Sequence, residues 1–238
     1  IPKKAGSLGS LRVAMISDIH LSENNHNGKL LKMIDMVNSL QPDIVLLPGD
    51  VIDEDISPFV KQDMSSTFRR INPKYGIYAV PGNHDYIGGH INETIHYLEQ
   101  AGIVVLRDSC AMIEDSFCIA GCDDSSHAHF GGNGEIKKLS EVLEGVDRSM
   151  PVILLNHQPN RLEEALEQGV DLQLSGHTHQ GQLFPINLIT GRIYETDWGY
   201  LRKGSLQLIV SSGFGTWGPP IRTGNRPEIV DILITFQK

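Results

Sequence analysis

The run LRVAMISDIH, residues 11–20, decides how the rest of the chain is read. Its opening (about 11–16) has the length and apolar character of a buried strand. It then breaks into Ser17-Asp18-Ile19-His20, so the strand delivers Asp18 and His20 at its carboxyl end. Next, NGKLLKMIDMVNSLQ places Leu30, Leu31, Ile34, Val37 and Leu40 at helical spacing, and Pro42 stops the helix. DIVLLPGD repeats the first pattern with a strand over 43–47, a Pro-Gly turn and then Asp50. The order is β-α-β, the signature of neighbouring parallel strands joined by a right-handed crossover.

The pattern continues downstream. A helical region is predicted around 57–71, and GIYAVPGNHDY reads as a strand over 76–80 followed by a Pro-Gly turn. INETIHYLEQAG is a helix ending at Gly102, and short strands follow near 103–106, 109–113 and 116–120. NGEIKKLSEVLEGV and RLEEALEQGV read as helices. MPVILLNHQP and DLQLSGHTH read as strands that again end in polar residues. The tail (192–196, 206–211, 228–236) alternates as antiparallel strands and hairpins do. The first ten residues, IPKKAGSLGS, read as a leader or linker, and residues 11–238 as one domain of an α/β sheet system.

At 238 residues, with 40% hydrophobic and 21% charged residues, the chain has the composition of a soluble globular protein. Its formal net charge of −9 argues against nucleic acid as a partner. Cys110, Cys118 and Cys122 are spaced C-x7-C-x3-C, which is neither a zinc pattern nor a disulfide framework, so buried free thiols are expected. No run is long and apolar enough for a membrane helix. The chain opens on Ile1 rather than Met, so an anchor upstream of it is left open.

Five strand ends carry polar clusters: SDIH (17–20), GDVID (49–53), GNHD (82–85), NHQ (156–158) and GHTH (176–179). Taken singly, each has a structural explanation. Asp18 and Asp50 would cap helices, Asn83 would sit in a turn, and His157 would be a satisfied half-buried histidine. Taken together they point elsewhere, because ligands in α/β sheets gather beyond the carboxyl ends of strands. Asp and Asn oxygens with several imidazole nitrogens suit divalent transition ions: manganese first, with iron, zinc or cobalt as alternatives. Two such ions would clamp the attacking and leaving oxygens of a phosphoryl displacement and leave a positive centre inside an acidic chain.

D-x-H, G-D-x-x-D, G-N-H-D, N-H and G-H-x-H, in this order from Asp18 to His179, resemble the calcineurin-like metallophosphoesterase family. The resemblance implies a four-layer α/β/β/α sandwich of two mixed sheets, with a dimetal site at the sheet edge. It implies one ion on Asp18, His20, Asp50 and His179, and another on Asp50, Asn83, His157 and His177. Asp50 bridges the two. It implies that His84 does not bind metal but contacts the phosphate or protonates the leaving oxygen, oriented by Asp53 or Asp85. A metal-bridging hydroxide would attack phosphorus in line.

GVDLQLSGHTHQGQLFP and SSGFGTWGPPIRTGNRPEI further resemble a bacterial, membrane-associated subgroup of that family. That subgroup includes enzymes cleaving the pyrophosphate of UDP-2,3-diacylglucosamine. Gln180 departs from it, since glycine is common after HTH. In the second stretch Trp217 would stack on a base, cover a lipid or pack as a structural loop residue, and Arg222 would bind phosphate. His127 and His129 read as exposed loop residues. The expected activity is a phosphodiesterase or pyrophosphatase, on a phosphate ester that is lipid-linked or nucleotide-containing. Alternatives are a phosphomonoesterase on the same centre or a non-catalytic metal-containing scaffold. The expected form is a monomeric soluble domain associated with a bacterial membrane.

Overall fold

Alternate residues of the first strand, β1 (Ser10–Met15), face opposite ways. Val13 and Met15 enter one apolar cluster, while Ala14 and the following Ile16 enter another. The period of two therefore buries both faces of the strand, as a sheet covered on both sides requires. The structure is a computed structural model that describes residues 1–128 and 136–237. In chain order, α1 (Asn27–Leu40), β2 (Ile44–Pro48), α2 (Ser57–Lys61), α3 (Met64–Phe68) and β3 (Ile77–Val80) follow β1. Next come α4 (Asn83–Ile87), α5 (Ile91–Gln100), β4 (Ile103–Val105), β5 (Ser109–Ile113), β6 (Phe117–Gly121) and α6 (Leu139–Val142). The chain continues with β7 (Val152–Leu155), α7 (Leu162–Glu167), β8 (Leu172–Ser175), α8 (Asn187–Ile193), β9 (Gly199–Lys203), β10 (Leu206–Val210) and β11 (Val230–Thr235).

Two mixed sheets form, in the orders β11-β1-β2-β3-β4 and β5-β6-β7-β8-β10-β9. β1 to β4 run parallel, with Val13 opposite Ile44 and Val45 opposite Ile77, and β11 closes the edge antiparallel to β1. In the second sheet β6, β7, β8 and β10 are parallel, and β5 and β9 are antiparallel edges. One core lies between the sheets, built from Val13, Met15, Ile44 and Leu46 on one side and Ile119, Ile153, Leu155 and Leu174 on the other. A second core packs α1, α3 and α5 on the outside of the first sheet, and a third packs α6 and α7 on the second. The layers are α/β/β/α. The parallel strands of both sheets end at one shared edge.

The structure differs from the expectations in several places. The helix expected over 57–71 is two helices, because Asp63 takes a left-handed φ of 47° between them. Helix α4 begins at Asn83, where a turn was expected. The helix expected from 133 is short: α6 spans Leu139–Val142, and 133–135 lie outside the described residues. The strand expected at 192–196 is instead the end of α8 and the irregular chain after it, since the second sheet's edge begins only at Gly199. Residues 1–10, expected as a leader, dock on the sandwich. Ala5 is fully buried, the Ile1 amino group donates to Thr235 O (2.9 Å) and Lys3 pairs with Asp171 (2.8 Å). Cys118 and Cys122 are buried free thiols, pushed up to about 12 by burial, but Cys110 is exposed on edge strand β5. Among the described residues, no helix is long and apolar enough to cross a membrane.

Candidate metal centre

Loops 17–21 and 49–52 leave β1 and β2 side by side and pair through their backbones. Asp18 N donates to Gly49 O (3.1 Å), His20 N to Asp50 O (3.0 Å) and Leu21 N to Val51 O (3.0 Å). The pairing aims Asp18, His20 and Asp50 at one point. The loops after β8 and β10 close on it: Gly176 N donates to His157 O, and Phe214 N to Ser17 O. Asp18, His20, Asp50, His177 and His179 all have φ between 47° and 70°, sparsely populated territory for any side chain but glycine. Such conformations persist only where surroundings enforce them, and they cluster at functional sites. Gly82 and Gly176 permit the close approach, since a Cβ at either would overlap the carboxylate of Asp50 or Asp18.

The donors fall into two clusters. In the first, His20 Nε2 lies 3.0 Å from His179 Nε2, and His179 Nε2 lies 3.4 Å from Asp18 Oδ1. In the second, Asn83 Oδ1 lies 2.8 Å from His177 Nδ1 and 3.1 Å from His157 Nε2. Asp50 stands between them, with Oδ2 3.2 Å from His157 Nε2 and 3.7 Å from His20 Nε2. Metal bonds of about 2.1 Å put neighbouring ligand atoms roughly 3 Å apart, so these separations suit ligands of a common ion. The donor set also fits chemically, because two imidazole nitrogens at 3.0 Å with carboxylates behind them call for a shared cation. The residues present thus fit two divalent ions.

Surrounding groups fix the orientation of these ligands. Pro48 O accepts from His157 Nδ1 (2.9 Å), which turns Nε2 toward the cluster. Burial opposes a charge on this ring, but Asp50 outweighs it and raises its proton affinity well above the usual imidazole range, a proton that a bound cation would displace. Asp50 Oδ1 accepts from His84 N (3.0 Å) and Asp18 Oδ1 from His177 N (2.9 Å). Burial, with His20 and Arg222 nearby, holds His179 well below the usual imidazole range. Burial and His157 lower His177 in the same direction. Both are thereby kept neutral, as metal ligands must be. For Asp50, burial opposes the charge, but His157 and His20 outweigh it and keep the carboxylate ionised.

Residues 11–181 match the family model of the calcineurin-like phosphoesterases. The chain belongs to this family. With that membership comes the activity class of a metal-dependent phosphoric ester hydrolase and the family's dimetal site. A transmembrane protein with metallophosphoesterase domain from Danio rerio is 33% identical over 98% of the chain, which spans 55% of that relative's length. An uncharacterized metallophosphoesterase from Aquifex aeolicus is 36% identical over 94% of the chain and 85% of its own length. The fold is shared with the crystal structure of a dimetal phosphatase from Danio rerio. That likeness has a TM-score of 0.58 at 13% identity and covers 95% of this chain and 99% of the other.

Among the other residues picked out in this calcineurin-like phosphoesterase, His84 and Asp53 meet: His84 Nδ1 is 3.1 Å from Asp53 Oδ1. Asp53 Oδ1 also lies 3.4 Å from His20 Nδ1, an atom without a hydrogen-bond partner. Asp85 does not orient His84. Its carboxylate turns back to accept from Gly82 N (2.8 Å) at the start of α4, and burial together with Asp50 raises it to about 8. Arg222 is not available to a phosphate. Its five N–H groups serve Ser212 O, Gly213 O, Gly215 O and Asn225 Oδ1, knitting the 212–225 loop beneath His179. Trp217 stands at the cavity rim, half-exposed rather than in the core. His127 is buried against Tyr86 (5.6 Å) rather than exposed, and His129 lies outside the described residues.

The clusters form the floor of a cavity of about 490 Å³. Glu54 at its rim, 3.5 Å from His84 Nδ1, and the wall formed by α8 were not anticipated. The visible signal for the wall was LFPINLITGRIY, an apolar run directly after the ligand motif.

Proposed function

We propose that this domain hydrolyses phosphodiesters or pyrophosphates, with Asp18, His20, Asp50 and His179 holding one divalent ion and Asp50, Asn83, His157 and His177 the other. The observation that carries the reading is the position of the Asp50 carboxylate between two donor clusters, with His84 anchored beside them. Two divalent ions held by these residues would supply polarisation of the phosphoryl oxygens and a lowered pKa for a bound water. His84 has its Nδ1 against Asp53, so its Nε2 is free to donate to the phosphate or to the leaving oxygen. Burial works against a charge on this ring, but Asp53, Asp50 and Glu54 outweigh it and raise its affinity for the proton, as an acid requires. Manganese is the proposed native metal, because mixed carboxylate, amide and imidazole donors suit it.

Placement in the bacterial membrane-associated subgroup belongs to the same proposal. The names of the Danio rerio and Bos taurus relatives, transmembrane proteins with metallophosphoesterase domain, support a position at a membrane. The first test is Asp50→Asn. Turnover of bis(p-nitrophenyl) phosphate by the manganese-loaded protein should fall at least about a thousandfold, and elemental analysis should show the loss of at least one ion. Normal turnover by the variant would overturn the reading. Faster cleavage of p-nitrophenyl phosphate than of the diester by the unaltered protein would move the assignment to a monoesterase.

A further inference from the structure

Helix α8, NLITGRI, has no buried residue, yet three of its seven residues, Leu188, Ile189 and Ile193, are large and apolar. It is not loosely attached. Gly181, at φ 74°, lies so close to Asn187 that no Cβ would fit between them. Gly181 directly follows the His179–Gln180 turn, so α8 is positioned relative to the metal ligands. Its inner side faces the cavity whose floor holds Asp50, Asn83 and His177. There Ile186 (39% exposed), Ile193 (66%), Ile87 (37%), Trp217 (41%) and Tyr194 line one space. Apolar side chains are thus gathered around a concave space that begins at the metal ligands. A cavity of about 490 Å³ falls in the range of small-molecule sites.

The threonine hydroxyls of this wall are already committed. Thr190 Oγ1 donates to Asp197 Oδ2 (2.6 Å), and Thr178 Oγ1 donates to Asp197 O (2.6 Å). That leaves the Tyr194 hydroxyl, just beyond α8, as a single polar point on this wall. Glu54 at the opposite rim adds a negative charge, which disfavours a second phosphate beyond the metal centre. The rest of the wall, with Ile87, Ile186, Ile193 and Trp217, fits an uncharged and mainly apolar group.

We infer that the group esterified to the substrate's phosphorus is an aliphatic chain, lying among Ile186 just before α8, Ile193 at its end, and Ile87 and Trp217 of the same cavity lining. This rests on the phosphodiesterase reading and chooses the lipid-like over the nucleotide-like substrate. The wall then serves specificity. Each methylene taken fully out of water multiplies affinity about fourfold, and the partly open wall reduces that gain.

The test is a series of p-nitrophenyl alkyl phosphates (methyl, butyl, octyl), kept below their micellar concentrations, with the p-nitrophenyl ester of thymidine 5′-phosphate alongside. The protein is loaded with manganese. The expected result is a kcat/KM that rises at least tenfold from methyl to octyl, chiefly through KM. Ile193→Ser and Ile186→Ser should each lower the octyl-to-methyl ratio about threefold or more. Both positions are exposed, so the folded domain tolerates the change. Leu188→Ser, exposed and turned by helical spacing to the face of α8 away from Ile186 and Ile193, should leave the ratio as it is. Calorimetry with methyl- and octylphosphonate should show the same chain-length trend in Kd without turnover. A flat series with the methyl ester still turned over would overturn this inference and spare the phosphodiesterase reading. So would a preference for the thymidine ester. Loss of turnover on every ester would overturn both.

Discussion

The two halves of the metal centre are built differently. Asp18, His20 and His179 are fully buried, and all three have left-handed backbone. They are backed by Asp53 on one side and the Arg222-stapled loop on the other. In the second half, His157 is buried and tied to Pro48 O, but Asn83 and His177 are only partly buried and line the cavity. Only His177 of these three has a positive φ. The first half is the more deeply enclosed, with only His179 of its three residues reaching the cavity lining, whereas the second presents both Asn83 and His177 to whatever enters. Enclosed ligands give up an ion slowly, and open ones exchange it. The side facing the cavity is also where a substrate's phosphoryl oxygens can reach.

The largest effects test this division directly. In the unaltered protein, a chelator should remove one equivalent of metal quickly and the other slowly. His177→Ala should retain the slow equivalent, and His179→Ala the fast one, with diester turnover reduced on the order of a thousandfold in each case. Elemental analysis after timed chelation reads the outcome. If both variants lose the same equivalent, the two halves are not separate sites.

Asp53→Asn comes next. It should keep both ions and lower kcat by about 10–100-fold, because the amide cannot serve as the anionic partner of His84 and His20. Loss of an ion would show that Asp53 supports the enclosed half more than it orients His84. Arg222→Lys should be smaller and of another kind. A lysine ammonium cannot replace five guanidinium donors, so stability should fall by about 1–3 kcal/mol in urea unfolding, with KM for the diester nearly unchanged. A large rise in KM would return Arg222 to the phosphate. The smallest effect concerns Gln180, which takes φ 48° where the resembling subgroup commonly has glycine. Gln180→Gly should relieve strain and stabilise the domain by about 1 kcal/mol, less the entropy that glycine adds to the unfolded chain. A thermal melt that moves downward would contradict it.

The residues that gather at the site were legible because each lies at the end of a short apolar strand, where a local pattern changes abruptly from apolar to Asp, Asn or His. The outer elements were less so. The interruption at Asp63 and the helix at Asn187–Ile193 depend on what lies beside them, and alternation in exposed residues such as Ile193 imitates a strand without a partner to pair with. Asp53 and Asp85 looked equivalent as partners for His84, two carboxylates near one histidine. Only the N-terminus of α4 separates them, because Asp85 three residues inside it is drawn to Gly82 N.

By itself, then, the sequence determined the α/β class, the order of the strands that end at the site, and the chemical identity of the donors. Those properties are local, set by side-chain period and by which residues break a strand. Tertiary structure decided how the donor side chains are grouped, which groups stand behind them, and what walls the cavity. His20 and His179 are 159 residues apart yet meet at 3.0 Å. His177, two residues from His179, faces Asn83 instead. Distances of that kind are set by how two sheets and their loops pack, and short sequence patterns carry no information about them.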